Sequence, residues 1–226
     1  MFQCFSVLML FMYYQDTAIV LKRVDLRDDD LLVTFFTFKH GKIVAQAKGA
    51  KKIKSKLAGH LEPVNLVEIN WVAGKGGDKL IGAQVIKSFK EIKKSYTKNI
   101  YSFYFLEIVD KVTRLYHCDV KIFDFLKSVL NKLENLEEDQ FPLVKLCFNY
   151  KILFLLGYNP VNRKGLGNNL KTVISHIINS PVEGIIGKKI EKNVFDSLSI
   201  KAEKFLEEVI EEEVVSQAVL FKYISQ

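Results

Sequence analysis

Cysteine is scarce in this chain. Cys4, Cys118 and Cys147 are too few and too scattered for a disulfide framework, and no two stand at metal-ligand spacing. Zinc is therefore not expected, nor any other cofactor. All three lie in apolar sequence, which predicts reduced, buried thiols in a reducing, cytoplasmic compartment. Clustered catalytic chemistry is also missing. His40, His60, His117 and His176 form no HxxxH or HExxH arrangement. Lys75 sits among Gly74, Gly76 and Gly77 without phosphate-loop spacing and with no helix to follow, so a hairpin turn is expected there. Asp28, Asp29 and Asp30 read as a polar surface turn. Glu107 and Asp110, three apart on one helical face, suit an ion pair better than acid–base work. No catalytic site emerges, and the chain is not expected to be an enzyme.

Nor is there a long apolar run. The first fourteen residues are apolar, but no basic segment precedes them and no cleavage pattern follows. A bilayer span takes about 20 residues, so no membrane association is expected. A complete strand pattern starts directly after Met12, and residues 1–11 are expected to be an extension added by an upstream start codon. A short element packed on the first domain is the alternative.

What the chain does have is separated charge. The formal net charge is +7, and residues 39–56 alone carry seven lysines with no acid: Lys39, Lys42, Lys48, Lys51, Lys52, Lys54 and Lys56. The far end runs the other way, with Glu203, Glu207, Glu208, Glu211, Glu212 and Glu213 close together. A polyanionic partner for the front half follows. Lysine is a compact point charge on a flexible stem, suited to a phosphate backbone met from several angles. Most charge runs are simply solvated loops; seven like charges without an acid, on a small barrel, favour nucleic acid. Phe35, Phe36, Phe38 and Trp71 are candidates for base stacking, although at least one set of them must be core.

Periodicity divides the chain in two. Residues 16–89 show strand patterns at 17–24, 31–38, 43–48, 61–72 and 80–89, with no helical stretch. Five short strands joined mostly by tight turns predict a small antiparallel barrel. Beyond residue 90 the apolar spacing becomes helical over 96–116, 120–136 and 142–156, with Asp119 as an expected N-cap. Residues 159–169 read as a loop, a less patterned stretch follows, and helices resume near 199–211 and 214–224. The expected class is α+β, with a barrel domain at 1–90 and a helical domain at 91–226.

These residues also carry a family resemblance. The order Asp16-Thr17-Ala18-Ile19-Val20-Leu21-Lys22-Arg23, then residues 31–38, Gly41-Lys42-Ile43 and the run AKGAKKIKSKLAGHLEPVNL at 47–66, resembles DNA repair protein RecO. Residues 104–110 and LFLLGYNP at 153–160 resemble helical segments of that family; beyond Pro160 the likeness is weak. The resemblance implies an OB-fold joined to helices. It also implies binding and annealing of single- and double-stranded DNA, with RecR and the single-stranded-DNA-binding protein as partners and RecA loading as the outcome. Carried onto this sequence, the DNA-contacting positions fall on Lys48, Lys51, Lys52, Lys54 and Lys56, with Lys39, Lys42 and His60 beside them. The acidic tail of the single-stranded-DNA-binding protein is expected on the helical domain, with Arg114 and Lys121 as candidates. Many members carry four zinc-binding cysteines after the segment matching LGYNP, and residues 162–193 contain none. The alternative to a strand-annealing factor is an adaptor whose barrel binds RNA or an acidic protein tail.

Overall fold

The structure, a computed structural model, describes residues 12–27, 29–74, 76–181, 184, 190–211 and 214–224. The expected extension at 1–11, Cys4 with it, lies outside the described residues. Five strands form first: β1 (Met12–Arg27), β2 (Asp30–Thr37), β3 (Gly41–Ala47), β4 (Leu66–Ala73) and β5 (Asp78–Lys87). They close into a barrel in the order β1-β2-β3-β5-β4, the small five-stranded barrel that the strand pattern predicts and the OB-fold that the family resemblance implies. Neighbours pair antiparallel except where β3 meets β5 in a short parallel contact, Ala45 with Asp78 and Gln46 with Lys79.

Strand alternation sorts the side chains onto two cores. Ala18, Val20, Val33, Phe35, Ile43, Ala45, Val67, Ile69 and Trp71 fill the barrel. Ile19, Leu21 and Phe36 point outward and join a second core built with the helices. That second core crosses the position expected to separate two domains.

One expectation within the barrel needs correction. A short helix, α1 (Leu57–His60), interrupts the region read as strand only, and β4 begins at Leu66 rather than at 61. Leu61, just after α1, is fully buried in the barrel core with Ala50 from the preceding turn. Asn65, also buried, donates to the Gly59 and His60 carbonyls and holds α1 in place. A single helical turn leaves no periodic signature, so the sequence pattern shows only apolar residues there.

The helices follow as α2 (Lys90–Lys94), α3 (Tyr96–Val112), α4 (Val120–Asn135), α5 (Phe141–Leu155), α6 (Asn168–Asn179), α7 (Lys192–Ile210) and α8 (Val215–Ile224). Ser95 caps α3 by accepting from the Lys98 amide, and Asp119 caps α4 by accepting from the Ile122 amide at 3.0 Å. α5 is buried almost all round, including Val144, Phe148, Ile152 and Leu153, which makes it the central helix. α6 lies in the stretch read as less patterned, held by Ile174 and Ile177, and α7 starts seven residues before position 199.

Candidate nucleic-acid interface

The basic segment leaves the barrel at the end of β3, and an acid fixes its shape. Asp30, at the start of β2, accepts the Gly49 amide on one oxygen at 2.7 Å and the Gln46 side-chain amide on the other at 2.8 Å. The Gly49 amide holds the Asp30 carboxyl below its ordinary range, helped by Gln46 and by the charges of Lys48 and Lys52. The Lys51 amide donates to the Asp29 carbonyl at 2.9 Å. Two further turns, from Lys52 to Gly49 at 3.2 Å and from Ser55 to Lys52 at 2.8 Å, fold the segment on itself. Gly49 has φ +61°, and a Cβ there would sit 3.4 Å from the Lys52 side chain, so a glycine makes this turn without strain. With Ala50 buried in the barrel, the lysines stand on a built loop. The acidic turn, read from sequence as ordinary surface, is the foundation of the basic one; Asp30 was missed because its partners lie 16 and 19 residues away.

The seven lysines do not form one surface. Lys48, Lys52, Lys54 and Lys56 are exposed and make no salt bridge among the described residues. Lys51 meets Asp25 at 3.0 Å, but that carboxylate is 74% exposed, so the pair is weak and easily exchanged. Lys39 is exposed at the β2–β3 hairpin, the other end of β3, roughly 20 Å along the strand from the loop. Lys42 points away altogether. Its ammonium lies 3.2 Å from Asp110 Oδ1 of α3, also reaches the Asp110 carbonyl, and is only 14% exposed. Lys22 joins the same carboxylate, so Asp110 clamps barrel to helix. His60 is positioned by fold as well: its Nδ1 accepts the Val85 amide at 3.1 Å, tying α1 to β5.

The aromatic candidates belong to the cores. Phe35 and Trp71 are inside the barrel, with Trp71 stacked on Tyr14 at 5.2 Å. Phe36 is buried against the helices, and Phe38 is half-buried edge-on to Phe123 at 5.4 Å. Phe35, Phe36 and Trp71 are buried and offer no free ring face for a base, and Phe38 packs against the helical core.

The loop between α3 and α4 crosses the β2–β3 hairpin, where the Tyr116 amide donates to the Lys42 carbonyl at 2.9 Å. A Cβ at Gly41, which has φ +71°, would lie 2.1 Å from the His117 carbonyl oxygen, so only glycine permits this crossing. Beside it runs a groove of about 710 Å³ between the α3–α4 loop, the end of α5 and α7. Arg114 and Lys111 supply positive charge, Lys111 with Glu107 4.0 Å away, and Asp119, the α4 cap, supplies a carboxylate; Ile122, Leu155, Leu156 and Val209 supply apolar wall, and Tyr158 a ring. Lys121 is exposed in the first turn of α4 and does not line it. Glu107 accepts the Val215 and Ser216 amides at 2.9 and 2.8 Å, seating the start of α8 on α3. Cys118 is exposed, contrary to expectation, because it lies in the α3–α4 loop, whereas Cys147 is buried in α5. Among the described residues no three His, Cys, Asp or Glu side chains converge in a metal-ligating arrangement, and no helix is long and apolar enough to cross a membrane.

Comparison with known proteins bears on the same two halves. The family model described as "Recombination protein O N terminal" matches residues 11–89, and "Recombination protein O C terminal" matches residues 93–172. The chain belongs to the recombination protein O family. Similar relatives include the DNA repair protein RecO of Shouchella clausii, 31% identical over 66% of this chain and 57% of that protein. The RecO of Myxococcus xanthus is 32% identical over 65% of this chain and 60% of its own length. That of Dehalococcoides mccartyi strain 195 is 29% identical over 76% and 67%. The chain thus spans less than two thirds of the length of the first two of these RecO proteins. Residues 173–226, with most of α6 and all of α7 and α8, fall outside both family matches.

Proposed function

We propose that this chain binds DNA strands through the loop carrying Lys48, Lys51, Lys52, Lys54 and Lys56 and acts as a non-catalytic mediator of DNA repair and recombination. The observation that carries this reading is a run of lysines presented on a built loop, with four of them outside any salt bridge among the described residues. Each phosphate that a lysine neutralises releases condensed counterions, so binding is tight at low salt and sequence-independent. A surface that neutralises two strands at once lets complementary strands approach and pair. Lys39, at the other end of β3, offers a separate phosphate contact; Lys42 and His60 act by holding barrel, helices and α1 together.

Arg114 gives the helical half its own task. A groove with a guanidinium, a second cation and apolar walls suits a tail that is both acidic and hydrophobic, as expected of the single-stranded-DNA-binding protein. Engaging that tail brings the chain to coated strands, where RecR joins it and RecA is loaded. Family membership supports these partners, and the work sits with the chromosome in the cytoplasm. Two experiments test the reading. Labelled complementary strands should anneal faster with the protein present, and Arg114→Ala should weaken capture of the tail peptide without slowing annealing of bare strands. Annealing at the uncatalysed rate, with no shift in strand mobility, refutes the first part.

A further inference from the structure

Ile53 is the one large apolar side chain that the loop holds completely in water, at a relative exposure of 104%. Its neighbours show that the loop has an inside available: Ala50 is buried in the barrel core and Leu57 packs against it. Ile53 takes neither route. It is the first central residue of the turn that returns Ser55 to Lys52, directly after the turn that returns Lys52 to Gly49, so the backbone holds it at the bend of the loop. Lys52 and Lys54 flank it, both exposed, and with Lys51 and Asp29 they line a shallow depression of about 340 Å³ at its foot.

An apolar knob ringed by cations restricts what can cover it. An apolar protein face would strip water from the lysines without replacing it. A simple polyanion would satisfy the lysines and leave Ile53 wet. A nucleic-acid strand has both features, phosphates along its edge and apolar base faces between them. We propose that Ile53 is a wedge that inserts between neighbouring bases of the strand whose phosphates the flanking lysines hold, opening that base step. This rests on the strand-binding reading of the loop and adds to it. A β-branched side chain suits the role, because its stiffness at χ1 leaves little freedom to lose. Apolar wedges of this kind part base steps in proteins that kink or unstack DNA. An opened step breaks the stack of the held strand and lets its bases be repositioned against a complementary strand, which couples holding a strand to pairing it.

The test uses the 226-residue protein and single strands with 2-aminopurine at one internal position, whose fluorescence rises when stacking is lost. Wild-type protein should raise the signal at saturation. Ile53→Ser should keep the wild-type salt slope, bind about 5–10-fold more weakly, and give no rise, the weakening reflecting apolar burial partly offset by unstacking. Ile53→Leu should restore both. Equal affinity and equal fluorescence for wild type and Ile53→Ser overturn the wedge while leaving the lysine loop intact. Failure of wild type to bind any strand overturns the loop reading and the wedge together. Ile53-dependent binding to anionic phospholipid vesicles, with no 2-aminopurine response to strands, overturns the wedge in favour of a lipid surface.

Discussion

Replacing Lys48, Lys52, Lys54 and Lys56 together by alanine separates the charge of the loop from its architecture. The anchors of the loop are the Asp30 carboxylate, the Asp29 carbonyl, buried Ala50 and backbone turns, and the variant leaves each of them in place. Exposed substitutions of this kind stay within about 0.5 kcal/mol, so the unfolding transition should hardly move. Binding should change in a defined way. Each phosphate contact contributes about 0.9 to the slope of log affinity against log salt on duplex DNA and about 0.7 on single strands. Four lost contacts flatten the slope by up to about 3.6 on duplex and about 2.8 on single strands. Between 50 and 200 mM salt, a loss of about two decades in wild-type duplex affinity should disappear from the variant. Fluorescence anisotropy titrations at four salt concentrations measure this. Lys42→Ala is the control, since its ammonium is held by Asp110 and not by a ligand. It should leave the slope unchanged and cost about 1–2 kcal/mol of stability, because Asp110 loses a partner at a half-buried joint. A wild-type slope in the fourfold variant, or a slope change in Lys42→Ala equal to that of a loop lysine, refutes the assignment.

Three further outcomes are expected. Because Asp30 has its carboxyl pKa lowered in the folded protein, its contribution to loop order is full above the unfolded value near 3.8. That contribution is lost as pH falls from there through the lower folded value; Asp30→Asn should remove the dependence and speed hydrogen exchange at the Gly49 amide. Burial pushes the Cys147 thiol up to about 12, so at pH 8 in a Cys4→Ser background an aromatic disulfide reagent should label exposed Cys118 at once and Cys147 only on unfolding. Rapid labelling of both thiols would contradict that burial. Phe36→Ala empties a fully buried site beside Phe123, whose ring centroid is 6.0 Å away, and should lower unfolding stability by about 3–5 kcal/mol in urea. A loss below 1 kcal/mol would mean that barrel and helices do not share the core described above.

Local signals in this chain were readable because they act over a few residues. The glycine turns, the change from strand to helical spacing near residue 90, the Asp119 cap and the all-round apolar α5 each rest on neighbours within one turn or one strand. Sequence spacing could not reveal α1, whose single turn is held by Asn65, nor α6, a short helix held by two buried isoleucines. The exposure of Cys118 was misjudged for a related reason: apolar neighbours in sequence do not bury a residue that lies in a crossing loop.

The sequence by itself determined that this is a barrel followed by helices, basic in front and acidic behind, with an acid-free lysine run at the front. Those are consequences of periodicity and composition, which are written into the chain residue by residue. Tertiary structure decided which lysines are available. Lys42 and Lys48 look alike in sequence, six residues apart in one basic segment, yet one is clamped by Asp110 from α3 and the other stands on a loop tied down by Asp30. A charge becomes a binding group or a structural clamp according to what folds against it, and that partner is set by packing over distances that no local pattern records.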